Sequence, residues 1–273
     1  MPVKINVTDR VPTYPGRVIL TPVSGQANTY DMVRADAPVQ EGTPVGKNLF
    51  DHKSDRLVEG ATVYVATTGN DSTGDGTSSA PFKTIQRAVD ELPKDLNGKH
   101  AVIDIANGTY NERVTIDGFT NGRLTIGADD RTVTVRGVSV MSSAAVRLNI
   151  SNITYSSTSA GTLLYADYGS NVTIIKSCTF RGESAEVSGI AASRGSTITA
   201  AGVTVAMLSF GAAAVLASTG SKIALGTVEG NGNTSNGLRA ELGSIISYAS
   251  KNLTATGGDL TASGGRIYTA AQN

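Results

Sequence analysis

From Gly169 onward, apolar and polar positions alternate with a period of two, in short runs that each follow a glycine. Counting from Gly169, Gly195, Gly220, Gly243 and Gly265, the third following residue is Val172, Ile198, Ile223, Ile246 or Tyr268. The fifth is Ile174, Ala200, Leu225, Tyr248 or Ala270. Residues two apart share one face of a strand, so each run predicts a short strand with that face turned inward. The glycine steps are 195−169 = 26, 220−195 = 25, 243−220 = 23 and 265−243 = 22. A period in the twenties with no helical filler predicts stacked coils. Glycine adopts φ > 0 without steric cost, so it is placed at the corner between strands, followed by Ser170, Ser196, Ser221, Ser244 or Arg266.

Upstream, Gly122-Arg123-Leu124-Thr125-Ile126 repeats the pattern, and 169−122 = 47 leaves room for one further rung, starting near Ala144 with Val146, Leu148 and Ile150. Apolar residues there fall at even offsets, which predicts a bulge or a corner displaced by one residue. Together the runs give roughly six or seven coils from Ala101, a rod on the order of 30 Å long at ~4.8 Å per rung. Ahead of them, Thr62 to Ala66 reads as a strand and Thr67 to Ser79 as a loop. Pro81 to Leu92 reads as an amphipathic helix whose apolar face is Phe82, Ile85, Ala88, Val89 and Leu92, stopped by Pro93. Such a helix would plug the open end of the stack. Residues 1–57 carry six prolines, Pro2, Pro12, Pro15, Pro22, Pro38 and Pro44, which predicts a small irregular β module or an extended arm. The expected fold is therefore all-β, a right-handed parallel β-helix over 101–273, with a strand, loop and capping helix over 58–100 and the arm over 1–57.

Composition narrows the functional classes. Lys plus Arg and Asp plus Glu are both 23, so no net field favours nucleic acid or an anionic membrane surface. No run approaches 18 apolar residues, which argues against membrane insertion, and the N-terminus lacks the apolar core of a secretion signal. The chain is thus expected to be made in the cytoplasm and to reach the outside by assembly and lysis or by a dedicated machine. Cys178 is alone, which excludes an intrachain disulfide framework and a cysteine-rich zinc site and leaves a buried small hydrophobe. His52 and His100 fall in different segments, so neither a His-based triad nor a two-His metal site is predicted.

Catalysis on such a stack needs two carboxylates at catalytic separation, or carboxylates holding a cation beside a base. From residue 171 the acidic residues are Glu183, Glu186, Glu229, Glu241 and Asp259, and no two lie one rung apart on one strand face. No catalytic residue, metal site or cofactor is predicted there, and neither a phosphate-binding Gly-Lys-Ser/Thr loop nor a dinucleotide fingerprint occurs. Asp129-Asp130-Arg131 reads as a solvated turn, with a cation-binding corner or a carboxylate pair as the functional alternative. Asp71 and Asp75 read as residues of a loop closed by Asx turns. With Trp absent, Tyr155, Tyr165, Tyr168 and Tyr248 are the candidate glycan or receptor contacts. Ala206 to Leu216 is the most apolar stretch and exceeds the inward needs of one strand, so Leu208, Phe210 and Val215 are candidate residues of an oligomer interface.

Two resemblances extend this reading. Val63-Tyr64-Val65, then Gly69-Asn70-Asp71, Gly74-Asp75-Gly76 and Pro81-Phe82-Lys83-Thr84-Ile85-Gln86-Arg87-Ala88-Val89, resembles the start of pectate-lyase-like parallel β-helix proteins. The Gln-Asp pair, further Asp and Arg-Pro-Trp stretch of the pectin esterases of that superfamily are missing. Tyr14-Pro15-Gly16-Arg17-Val18, Tyr30 to Asp36 and Glu41 to Asp51 are similar to N-terminal modules of phage tail-fibre and tail-tip proteins. That similarity implies a virion location, tail or baseplate partners bound through residues 1–57, a projecting homotrimer, and a host cell-surface glycan as a further partner. The alternative it leaves is a polysaccharide depolymerase or lyase acting on host-surface glycan.

Overall fold

In a computed structural model of the chain, the structure describes residues 11–12, 18–22, 30–34, 38–40, 56–57, 59–127, 130–143, 145–154, 161–182, 188–233 and 235–270. The chain divides into two compact units, Met1–Ser54 and Asp55–Asn273. Within the first, β1 (Val11–Pro12) pairs antiparallel with β4 (Pro38–Gln40), and β2 (Val18–Pro22) with β3 (Tyr30–Arg34). Register shifts between Val11 and Pro12 in the first pair, whereas the second pairs continuously from Val18–Arg34 to Pro22–Tyr30.

The second unit is a parallel β-solenoid of about six turns. Three columns of strands form its sides. The first column stacks β5 (Ala61–Val65), β6 (His100–Ile105), β8 (Arg123–Gly127), β10 (Val146–Asn149), β13 (Asn171–Ile174), the first halves of β16 (Thr197–Leu208), β18 (Lys222–Asn233) and β20 (Ile245–Ala255), and β22 (Arg266–Thr269). The second stacks the first halves of β7 (Gly108–Asp117) and β9 (Val133–Met141), then β11 (Asn152–Thr154), β14 (Cys178–Arg181) and the second halves of β16, β18 and β20. The third stacks the second halves of β7 and β9, then β12 (Leu164–Asp167), β15 (Ile190–Ala192), β17 (Val215–Ala217), β19 (Leu238–Ala240) and β21 (Leu260–Thr261). The stack therefore starts at Ala61, ahead of the Ala101 expected from the sequence, because β5 already pairs in register with β6.

Inward positions repeat along the columns. Leu124, Val146, Val172, Ile198, Ile223 and Ile246 lie one above another and are fully buried. The register passes through Gly122 without a bulge. At that coil the corner residue is Asn121 (φ 52) rather than the glycine after it, so the even offsets come from a corner displaced by one residue. The same displacement occurs at the last coil, where Ser263-Gly264 (φ 48 and 81), not Gly265, turns the chain and puts Ile267 rather than Tyr268 in register with Ile246. Tyr168-Gly169, Arg194-Gly195, Thr219-Gly220 and Leu242-Gly243 make the same paired positive-φ corner, and Asn97-Gly98 makes it one coil before Asn121.

The serines that follow Ser142 and four of these glycines are not surface residues. Ser143, Ser170, Ser196, Ser221 and Ser244 are buried and stack inside the corner. The Ser143 Oγ accepts from the Phe119 amide at 3.2 Å, Ser170 Oγ from Ser143 at 3.2 Å, Ser196 Oγ from Ser170 at 3.1 Å and Ser244 Oγ from Ser221 at 3.0 Å. Each of these hydroxyls thus satisfies a buried donor of the coil before it. Cys178 is buried among core residues, and burial pushes its thiol well above the ordinary range.

The helix is shorter than its pattern predicts. α1 covers Ile85–Glu91, because Phe82 forms a parallel bridge with Val65, Thr84 is the N-cap and Leu92 is already extended before Pro93. Ile85, Ala88 and Val89 are fully buried and join the solenoid core.

The apolar stretch after Ala206 also turns inward. Phe210 and Val215 are fully buried, so they cannot present an oligomer interface. The chain bends at Ser209 (φ 61), and Phe210 fills the corner beside Gly182 and Gly189 of the preceding coil, where an added Cβ would come within 2.8 Å and 2.9 Å of the ring. Leu208 alone of the three faces outward, half-buried, into a shallow groove it shares with Glu229, Asn231 and Asn252.

Gly220 carries a conformational demand alone, whereas Gly230 (φ +134) adds a steric one to it. Gly220 has φ +71 with open space where an alanine methyl would stand, whereas a Cβ at Gly230 would lie 1.9 Å from the Met207 carbonyl oxygen. Gly220→Ala is expected to lower stability by about 1 kcal/mol, and Gly230→Ala by more, in chemical denaturation. Equal losses would contradict this packing.

Candidate functional site

Three groups of charged and aromatic side chains lie on the solenoid. Beside α1, the Asp71 carboxylate accepts from the Lys83 amide (2.7 Å), the Thr84 amide (3.0 Å) and the Thr84 hydroxyl (2.8 Å). The Glu112 carboxylate accepts from the amides of Ile85 (2.7 Å) and Gln86 (2.9 Å), and Thr84 Oγ1 accepts from the Arg87 amide. The first turn of the helix thereby has its free donors satisfied. Burial raises the Glu112 carboxyl above its ordinary value, against the two amide bonds that lower it. For Asp71 the balance is reversed: burial alone would raise it, but the bonds from Thr84 and Lys83 and the Arg87 charge hold it below the usual range. Asp71 thus clamps the helix rather than closing its own loop. Asp75 does make the expected Asx turn, accepting from the Thr77 amide and hydroxyl.

The second group is the Arg131 corner. Arg131 pairs with Asp104 of the preceding coil, and its own carbonyl accepts from Ser151 Oγ at 2.9 Å and from Lys176 Nζ. A cleft of about 510 Å³ opens beside this pair, lined by Tyr64, Ser78, Asn107 and their neighbours. Asp129 lies outside the described residues, as do Glu183, Glu186, Tyr155 and His52. The His100 ring bonds Thr125 Oγ1 at 2.9 Å and accepts from Arg123 at 3.1 Å. Among the described residues, no three His, Cys, Asp or Glu side chains converge on a point where a cation would sit.

The third group brings together two of the four predicted tyrosines. Tyr165 and Asp167 lie two apart on β12, and the Tyr165 hydroxyl donates to Asp167 Oδ2 at 2.9 Å. Asp167 is buried, with its side chain 4% exposed, and Oδ2 also accepts from Arg194 Nη1 at 2.6 Å. Arg194 occupies the corner position of the next coil, directly after Tyr168 in the stack, and its guanidinium lies 4.4 Å from the centre of that ring. That distance follows from the fold, since successive coils are ~4.8 Å apart and cation–π stacking needs a similar separation. Tyr168 is 58% exposed and the Arg194 side chain 50%. Burial, then the bond to Asp167, raises the Tyr165 phenol, which keeps it a proton donor at neutral pH.

Tyr248 is not part of this corner. It lies three coils further on, in the first column, packed against the core. Residue type alone does not reveal Asp167 and Arg194 as partners of the tyrosines. The signal that could have found Arg194 is spacing, since 194−168 = 26 is one repeat step and places it over Tyr168. Compared with protein-family models, with curated proteins and with solved structures, the chain matches none.

The Asp71 clamp sets a pH dependence. Its carboxyl lies below its ordinary 3.8 in the folded chain, so its stabilisation is present above that value and is lost as the pH falls through the lower folded value. Denaturation at neutral pH is expected to show Asp71→Asn less stable than wild type. The gap should close only as the pH falls below 3.8, through the lower folded value. A gap independent of pH would contradict the clamp.

Proposed function

We propose that the chain is a structural component of a phage tail, attached to the virion through residues 1–57 and projecting the solenoid toward the host surface as a homotrimer. The observation that carries this reading is the use of the solenoid's charged groups to hold coils together. Asp104 with Arg131 and Asp167 with Arg194 each tie one coil to the next, and Asp71 and Glu112 fasten the capping helix. A stack tied in this way is a rigid spacer that displays its corners, which suits projection better than turnover. The similarity of the N-terminal segment to tail-fibre modules supplies the virion end of the reading.

Mass spectrometry and immunogold microscopy of purified particles test the location. The chain is expected among particle proteins, with label on the tail; a chain absent from particles would sink the proposal. Light scattering is expected to give about three times the 28.0 kDa chain mass, and a monomer at all concentrations would remove the trimer. Release of reducing sugar from host-surface glycan by the purified chain would favour a depolymerase instead.

A further inference from the structure

We infer that the Tyr168–Arg194 corner binds saccharides that carry an anionic group, a carboxylate or a phosphate. Four observations converge there. The first is an exposed aromatic ring at a corner, able to stack on the apolar face of a sugar ring. The second is the guanidinium beside it, half-exposed although it is ion-paired. Arg194 donates to protein only from Nη1, so its Nε and Nη2 hydrogens point to no acceptor among the described residues. Those two groups form a planar fork matched to the two oxygens of a carboxylate or phosphate.

The third observation is that the fork is held in place. Asp167 is a buried carboxylate whose bonds all serve the corner: Oδ2 accepts from Arg194 and Tyr165, and Oδ1 accepts from the Tyr168 amide at 2.9 Å. A carboxylate removed from water must be paired or its burial destabilises the fold. Asp167 is paired in such a way that Arg194 is fixed over Tyr168. The side chains are thus oriented before a ligand arrives, which lowers the entropy lost on binding.

The fourth is contrast with the other corners. Asn97, Thr219, Leu242 and Ser263 hold the same backbone conformation without an aromatic ring stacked on a cation. Positive φ at Tyr168 and Arg194 therefore belongs to the corner design and says nothing about ligands. The stacked pair and its buried carboxylate are what set this corner apart. Tyr165 is a positioning residue, acting on the ligand only through Asp167.

The inference deepens the host-facing half of the proposed function and takes its biological partner from that reading. Binding itself is a property of the purified chain, so it stands or falls separately from virion location. The experiment is a titration of the full chain, followed by NMR and calorimetry, with three probes: a uronic-acid oligosaccharide, a glycerol-phosphate polymer bearing sugars, and a neutral oligosaccharide of similar length. Saturable shifts at Tyr168 and Arg194, not at Tyr248, are expected with at least one anionic probe, and which one responds identifies the anion. Arg194→Lys keeps the charge but loses the fork, and Tyr168→Ala keeps Arg194 paired with Asp167; each is expected to weaken binding roughly ten-fold or more. Circular dichroism confirms that both variants remain folded, and the second variant serves if the first does not fold. Equal binding of the neutral probe, shifts elsewhere on the chain, or no saturable binding by either anionic probe would overturn the inference, even with the chain present in particles.

Discussion

The constraint on which the structure depends is that each coil must repeat the last one rung away, including at the corner where the backbone leaves one strand column for another. Along the columns, parallel pairing satisfies the backbone. At the corner, backbone bonds between coils continue at the glycines, as from Gly169 to Arg194, but the amides of Phe119, Ser143, Ser170 and Ser221 point inward from buried backbone, where an unpaired donor is destabilising by about 1–3 kcal/mol. A serine hydroxyl from the following coil meets each of them. Serine suits this place because it is the smallest side chain that carries an acceptor, and a longer one would spread the coils apart.

Corner geometry then decides what the surface can display. The outermost corner residue stands free of the core, so its identity is open: Tyr168, Arg194, Thr219, Leu242 and Ser263 all occupy it. Successive corner side chains sit one rung apart, close enough to stack. A tyrosine followed one repeat later by an arginine therefore makes a cation–π pair without any local loop structure, and Asp167 at the end of the preceding strand fixes it. Binding chemistry on this scaffold needs no cleft, because the repeat itself brings distant residues side by side.

Much of the fold is legible in the sequence for the same reason. Period-two apolar runs separated by glycine reveal inward faces and corners, since both are local and repeated. The corners at Asn121 and Ser263-Gly264 fall one residue from where glycine spacing puts them, because Asn121 takes the positive-φ place ahead of Gly122, and Gly264 rather than its neighbour Gly265 takes it in the last coil. Phe210 and Val215 read as surface in the sequence because a run of apolar residues does not show where the chain bends; at Ser209 it turns and carries both inward. Of the candidate site, the tyrosines are visible by type and their partners are not. Asp167 and Arg194 look like ordinary charged residues until the repeat step aligns them, and Glu112 reaches the helix amides from 27 residues away.

Residue-resolved hydrogen exchange tests the corner constraint most directly. If serine hydroxyls inside the corner hold the coils in register, the amides of Phe119, Ser143, Ser170 and Ser221 exchange as slowly as those of the neighbouring strands. Replacing Ser170 by Ala accelerates Ser143 first. Exchange of these four amides at the rate of unstructured peptide, with the strands still protected, would contradict it.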